Sequence, residues 1–415
     1  MEKFLSAVKN IIIVNDFGSI NGGTAQVAIN TALNLGQLGY HVYYFCAVPP
    51  IDDRLIACRN IRVFCTKQAD ILSSNNRLLA IFQGLWNLKS AQLFSQLLST
   101  LSPAETVVHI HGWTKALSHS VLYVARRKKF SMVLTLHDYF CACPNGGFFN
   151  YPQQKSCPLQ ALSLQCILTN CDSRNYAQKL WRVVRGVLQK YLARVPSGIK
   201  YYISLSHKSQ TIVDSYLPRN AIVFNLPSPI VTTKNQRITA EKNSLLLGLG
   251  RMSPEKGFGL LAKSSYELAK EVIFIGDGEL KEELRRINPN AIFTGWLSPE
   301  EIRERMKRVR VLIFPSIWYE TQGLVVSEAA SQGIPAIVSD SSVASELIDD
   351  NFTGVLFKNN DLGDLKIKIR LFEDDAFTQK LSQNAYKKFW SSQLSGNEYM
   401  ESLISIYNQA LAGKR

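Results

Sequence analysis

Phe314-Pro315-Ser316-Ile317-Trp318-Tyr319-Glu320-Thr321-Gln322-Gly323-Leu324-Val325-Val326-Ser327-Glu328-Ala329-Ala330 reads as one strand–loop–helix unit. An apolar strand ends at Phe314, a loop carries Glu320, and a helix begins near Gly323. The first N–H groups of a helix have no intrahelical partner, so this start favours an anion or polar ligand. Glu328 lies about a turn and a half inside the helix, among Val325, Val326, Ala329 and Ala330. A carboxylate on such a mostly apolar helix is costly unless something pairs with it. A loop carboxylate and a helix carboxylate near one rim suit two sets of sugar hydroxyls.

The same grammar repeats outward from this unit. In the second half, Ser244–Leu249, Val272–Ile275, Ala291–Thr294, Val311–Phe314, Pro335–Val338 and Gly354–Phe357 read as short buried strands with helices between them. In the first half, Asn10–Val14, His41–Cys46, Ile61–Cys65, Thr106–His111, Met132–His137 and Lys200–Leu205 do likewise. Near-continuous apolar strands alternating with helices mean βαβ units and parallel sheets. Two such series in 415 residues mean an α/β chain of two Rossmann-like domains. The expected boundaries are a first domain over 1–218, a proline-containing linker over 219–242, a second domain over 243–385, and a C-terminal helix over 386–415 that returns to the first domain.

Composition narrows the function. Apolar residues make up 46% and charged residues 19%, a globular profile. Met1–Asn10 lacks the long apolar segment of a signal peptide, and no run approaches a membrane span, so a cytoplasmic protein is expected. The net charge of +14 calls for an acidic partner: a phosphate-bearing substrate or an anionic membrane surface. Nucleic acid is not expected, because no basic block is interleaved with aromatics.

Gly250-Arg251-Met252-Ser253-Pro254-Glu255-Lys256-Gly257 follows the first strand of the second domain. Arg251 and Lys256 put two cations where open α/β sheets bind ligands, suited to phosphate oxygens or else simply solvated. In the first domain, Asn21-Gly22-Gly23-Thr24 links a strand to a helix without the G-x-G-x-x-G spacing of dinucleotide oxidoreductases. His109 and His111 share one side of their strand. His111, nearer the carboxyl end, can reach a cleft, and His109 is read as a hydrogen-bonded core histidine.

Two glutamates seven residues apart, preceded by Pro-Ser and a tryptophan, resemble the E-x7-E motif of glycosyltransferase family 4 (glycosyl transferases group 1). The resemblance extends through Gly248–Gly257, Ile275–Gly278, Phe293–Trp296, Ser331–Pro335 and Asp350–Phe357. It implies the GT-B fold: two Rossmann-like parallel-sheet domains facing across a cleft. It further implies a retaining transferase that moves a sugar from a nucleotide-sugar donor to a saccharide or lipid-linked glycan acceptor, in cell-surface polysaccharide synthesis. Arg251 and Lys256 would hold the donor diphosphate, and Glu328 the ribose. Glu320, Gly323, Leu324 and Val325 would hold the transferred sugar, the strand end at Phe293 the base, and Gly23 the phosphates. His111 would be the cleft histidine, with His137 and Asp138 on the acceptor side. Gln322 stands where the family commonly has Phe, which is expected to alter the lining of the sugar pocket. No cofactor is implied, and without an Asp-x-Asp motif no divalent metal is expected. A nucleotide-sugar epimerase on this fold and a non-catalytic sugar-binding scaffold are the alternative readings.

Two features stand outside that scheme. Cys143, Cys157, Cys166 and Cys171 form a sparse cluster that could bind tetrahedral zinc or pack as buried thiols. Tyr176–Val195 is a basic amphipathic helix with Leu180, Val184, Val187, Leu188 and Tyr191 on one face. It fits either an anionic lipid surface, the enzyme then being peripheral at the membrane, or a solvated face above a domain core.

Overall fold

The computed structural model describes residues 8–230, 232–392 and 394–413. The first sheet collects β1 (Asn10–Val14), β2 (His41–Cys46), β3 (Ile61–Cys65), β4 (Thr106–Ile110) and β5 (Ser131–Thr135). After a small antiparallel hairpin of β6 (Phe149–Asn150) and β7 (Lys155–Ser156), it is completed by β8 (Tyr201–Ser204) and β9 (Ile222–Asn225). Helices α1 (Gly23–Gln37), α2 (Asp53–Ala57), α3 (Arg77–Leu85), α4 (Leu88–Ser99) and α5 (Ser120–Arg127) lie between the first five strands. The helices α6 (Leu164–Leu168) and α7 (Tyr176–Leu188) precede β8, and α8 (His207–Val213) follows it.

The second sheet is built from β10 (Leu245–Leu249), β11 (Val272–Ile275), β12 (Ile292–Gly295), β13 (Val309–Phe314), β14 (Ala336–Ser339) and β15 (Gly354–Phe357). The helices α9 (Phe258–Glu267), α10 (Lys281–Ile287), α11 (Pro299–Met306) and α12 (Leu324–Ser331) connect its strands. Three more close the chain: α13 (Leu362–Leu371), α14 (Asp375–Ser392) and α15 (Gly396–Ala412).

The strand orders are β3-β2-β1-β4-β5-β8-β9 and β12-β11-β10-β13-β14-β15, parallel throughout. Central strands such as Ile11–Val14 and Val311–Phe314 are buried along their length, which explains their unbroken apolar sequences. In both sheets the order reverses beside the first strand. Open α/β sheets bind ligands at that switch point, outside the carboxyl ends of the strands. The loops after β1 and β4, and those after β10 and β13, therefore define where chemistry can happen.

Three boundaries differ from expectation. The segment read as a linker from residue 219 contains β9, which extends the first sheet beyond β8. Its half-exposed Ile-Val-Phe-Asn makes an edge strand with too little apolar sequence to announce itself. The segment expected as one returning helix from 386 is two. The end of α14 stays on the second domain, with Phe389 buried and Trp390 Nε1 donating to the Ser331 carbonyl at 2.9 Å. A capping box of Ser395 and Glu398 then starts α15. Tyr399, Met400, Leu403, Ile406 and Tyr407 of α15 join the core on one face of the first sheet. Finally, His111 and His137 lie just past β4 and β5, in the rim loops. Among the described residues no helix is long and apolar enough to cross a membrane.

Candidate functional site

On the second domain the rim is shaped by two close approaches. A Cβ on Gly257 would lie 2.1 Å from the Pro315 carbonyl oxygen, so only glycine lets the β10 loop press against the β13 loop. That contact carries Lys256 to Glu320: Nζ and Oε1 are 2.6 Å apart. Ser316 Oγ donates to the same carboxylate oxygen at 2.8 Å, and Lys256 Nζ also lies 5.7 Å from the Trp318 ring centre. Glu320 is 7% exposed and has a left-handed backbone, φ +57. Arg251 is exposed and makes no ion pair among the described residues. The two expected cations thus differ: one is free and one is engaged by the sugar-binding candidate.

Gly323, at φ +81, caps the start of α12. No side chain caps the Leu324 and Val325 N–H groups, so they remain open to a ligand. Glu328 is half-buried, its carboxylate makes no hydrogen bond among the described residues, and burial raises its pKa. Phe293 packs in the other direction. Its ring stacks on Phe274 at 5.1 Å with Arg285 over it, so only the backbone of this strand end can serve a ligand.

On the first domain, His111 Nδ1 and His137 Nε2 are 2.9 Å apart. His111 is buried, and its Nε2 has no hydrogen-bond partner, an open polar position. Burial holds His111 well below the usual imidazole range and His137 down to about 3, so both are neutral at pH 7. Burial pushes the Asp138 carboxyl up to about 6, against the Phe140 N–H that Oδ1 accepts. His109 bridges Tyr407 Oη and Thr135 Oγ1, each at 2.7 Å, as a core histidine.

The two rims meet. Gly23 faces α12: a Cβ there would be 3.5 Å from Leu324 Cδ1. Tyr139 Oη donates to the Glu320 carbonyl, Thr321 Oγ1 to the His137 carbonyl at 3.2 Å, and Ser206 Oγ to the Thr321 carbonyl at 3.0 Å. Acceptor-side and donor-side candidates are therefore joined through the 319–321 loop.

Gln322, expected to alter the lining of the sugar pocket, engages both ends of its side-chain amide with the crossover. Oε1 accepts from Ser228 N at 3.0 Å and Nε2 donates to Ser228 O at 2.9 Å, so it ties α12 to the interdomain crossover. One structural residue was not anticipated. Buried Asp16, just after β1, accepts from the backbone N–H groups of Lys115, Ala116 and Leu117 at 2.8–2.9 Å and fixes the loop after His111. The only sequence sign was a carboxylate directly after an apolar strand. The cysteine cluster is occupied internally: Lys179 Nζ lies 3.4 Å from Cys166 Sγ and 3.3 Å from Cys171 Sγ. Among the described residues no three His, Cys, Asp or Glu side chains gather as a metal site.

Two facing parallel-sheet domains, clefted at both switch points, constitute the GT-B fold. A solved sucrose-phosphate synthase from Thermosynechococcus elongatus superposes with a TM-score of 0.71 over 98% of this chain and 100% of its own, at 16% identity. Residues 231–388 match the family described as Glycosyl transferases group 1. Sulfoquinovosyl transferase SQD2 of Arabidopsis thaliana is 32% identical over 150 residues, 35% of this chain and 29% of that protein. An Escherichia coli UDP-Gal:alpha-D-GlcNAc-diphosphoundecaprenol alpha-1,3-galactosyltransferase is 28% identical over 179 residues, 41% of this chain and 42% of that protein. The alignments thus span under half of either relative's length.

Proposed function

We propose that this chain is a retaining glycosyltransferase that moves a sugar from a nucleotide sugar to a saccharide or lipid-linked glycan, in polysaccharide or glycolipid synthesis. The observation that carries the reading is the Lys256–Glu320–Ser316 cluster at the second domain's switch point, beside the uncapped start of α12. Both relatives bear the names of sugar transferases, and one is named for a UDP-sugar donor and a diphosphate-linked lipid acceptor.

In this scheme the donor diphosphate lies between Arg251 and Lys256, and Lys256 exchanges Glu320 for phosphate oxygen. Glu320, so released, accepts from hydroxyls of the sugar, and the Leu324 and Val325 N–H groups donate to the sugar's oxygens. Glu328 takes the ribose. Neutral His111 offers a hydrogen bond at Nε2 without adding positive charge. The bond between the anomeric carbon and the diphosphate oxygen breaks as the acceptor oxygen bonds to the same face, and the acceptor proton passes to the departing diphosphate. Stabilising charge on that leaving group is the main electrostatic task. Arg251 and Lys256 serve it, so we propose that no divalent metal is required.

Purified protein incubated with a panel of nucleotide sugars tests this. One donor should raise the melting temperature and release nucleoside diphosphate when acceptor is added. Glu320→Gln should cut turnover while nucleoside diphosphate binds at least as tightly as before, because Lys256 loses its internal partner. Chelation should leave turnover intact. No stabilisation by any nucleotide sugar would sink the reading.

A further inference from the structure

Helix α7 is built inside out. Lys179, Val183 and Arg185 are buried, while Tyr176, Leu180, Val184, Val187 and, in the π-helical turn that follows, Tyr191 are exposed. Those five recur at helical spacing and form one outward apolar stripe. The inward cations are satisfied from within. Lys179 lies between two thiols, and Arg185 donates to the Thr114 and Pro144 carbonyls while stacking over Phe140 at 4.9 Å. The apolar side is therefore not the side that packs on the core, which removes one of the two readings the sequence left open.

The stripe has neighbours of the same kind. Trp181 Nε1 donates to the Ile81 carbonyl at 3.3 Å, which fixes α3 beside α7, and Phe82 of α3 is 67% exposed. On the other flank Tyr176 Oη donates to the Ile167 carbonyl at 3.0 Å, and Leu164 and Leu168 of α6 are exposed. Among the described residues, twelve of the twenty-five exposed large hydrophobic side chains belong to α3, α6, α7 and the turn after it. A contiguous apolar surface of that kind marks an interaction site.

Charge identifies the partner. Residues 71–213, the stretch of the first domain that includes α3, α6 and α7, hold sixteen Lys and Arg against three acids. None of the three acids is free on this face: Asp172 is buried and paired with Arg182, Asp138 sits in the cleft, and Glu105 pairs with Lys9. Apolar side chains for insertion, exposed Arg77, Lys89, Lys190 and Arg194 around them, and tyrosines at the margin match an anionic lipid leaflet.

We infer that the α3–α6–α7 face docks this protein on an anionic bilayer surface. Its inner side braces the acceptor rim: Arg185 holds Thr114, and Trp113 Nε1 donates to Gln189 at 3.3 Å, in the loop directly after His111. Docking thus brings that rim to the lipid surface. The inference does not depend on the transferase reading.

Sedimentation of the full chain with vesicles of phosphatidylcholine, with and without phosphatidylglycerol, tests it without any substrate. Wild type should pellet with the phosphatidylglycerol vesicles at low salt and be released by high salt. Arg77→Glu with Lys190→Glu should weaken binding by roughly fivefold or more per cation. Phe82→Ser, Val184→Ser and Tyr191→Ser together should abolish it at unchanged melting temperature, since all three are exposed. Wild type that ignores phosphatidylglycerol vesicles at low salt overturns the inference. So does binding that survives both variants, or a wild-type dimer that the serine variant dissolves without any vesicle binding, since the face would then belong to a second copy.

Discussion

Glu320 turns on its own backbone: a left-handed residue between Ser316 and α12 directs its carboxylate onto Lys256. That conformation costs a non-glycine residue roughly 1–2 kcal/mol, offset here by charge-assisted hydrogen bonds. Lys256 and Arg251 should therefore not be equivalent. Arg251→Ala removes a free cation, and nucleoside diphosphate affinity should fall by about 1.5–3 kcal/mol. Lys256→Ala also leaves Glu320 buried without its cation and facing the ligand's charge, and should cost more. Calorimetry giving the reverse order would refute the assignment. Asp138 supplies a pH signature. Its folded pKa, raised to about 6, means the native state binds a proton that the unfolded chain has released above about 4. Its contribution is complete below the unfolded pKa and is lost as pH rises through 6. Asp138→Asn should thus match wild type near pH 4 and exceed it at pH 7–8, by on the order of 2–3 kcal/mol. The histidines act oppositely: held neutral by burial, they lose stability for the fold as pH falls below about 6.5. Melting curves between pH 4 and 8 separate the two. At this scale the sequence disclosed which side chains gather at the rim. It did not disclose that two of them meet each other, because a loop's left-handed residue leaves no mark in residue type unless it is glycine.

At the scale of elements, α12 does two things with adjacent residues. Gly323 opens its N-terminus and Gln322 anchors it. Gly323→Ala would place a Cβ 2.5 Å from that of Ala344 on a backbone that disfavours side chains. It should destabilise the protein by about 1–3 kcal/mol and weaken donor binding with it. Gln322→Ala leaves the Ser228 N–H and carbonyl unpaired. It should cost a similar amount of stability in urea titration with little change in nucleotide affinity. A large affinity loss from Gln322→Ala would return that side chain to the pocket. Elements with continuous apolar sequence, such as Ile11–Val14 and Val311–Phe314, were legible because burial on both faces demands it. Edge strand β9, with its half-exposed residues, was not. Helix α7 was legible as amphipathic, but periodicity defines a stripe and not its direction. Only tertiary packing reveals that Lys179 and Arg185 point inward.

For the molecule as a whole, α15 matters most. It returns from the second domain to seal one face of the first sheet, and Tyr407 Oη completes the hydrogen bonding of buried His109. Tyr407→Phe should lower stability by about 1–3 kcal/mol, measured by urea unfolding. A chain ended at Leu394 would expose Ile11, Ile13, Val107 and Val133 to water, and should lose near-ultraviolet circular dichroism and aggregate. Folding of that shortened chain with wild-type cooperativity would show the helix to be dispensable. Contacts such as Thr321 with His137, 184 positions apart, were beyond sequence reading, since nothing local to either residue encodes the other.

The polypeptide passes between the two halves twice, once from β9 to β10 and again from α14 to α15. Two bodies joined at one point can swivel in any direction, whereas two bodies joined at two points turn only about the line through both. We therefore expect cleft opening to have a single degree of freedom. X-ray scattering curves with and without nucleoside diphosphate should fit rotation about that line alone, and a twist about another axis would contradict it. The bonds from Tyr139 to Glu320 and from Thr321 to His137 join the two halves. Any rotation that parts the two halves at these bonds must break both, so we expect their removal in Tyr139→Phe with Thr321→Val to ease opening in the scattering measurement.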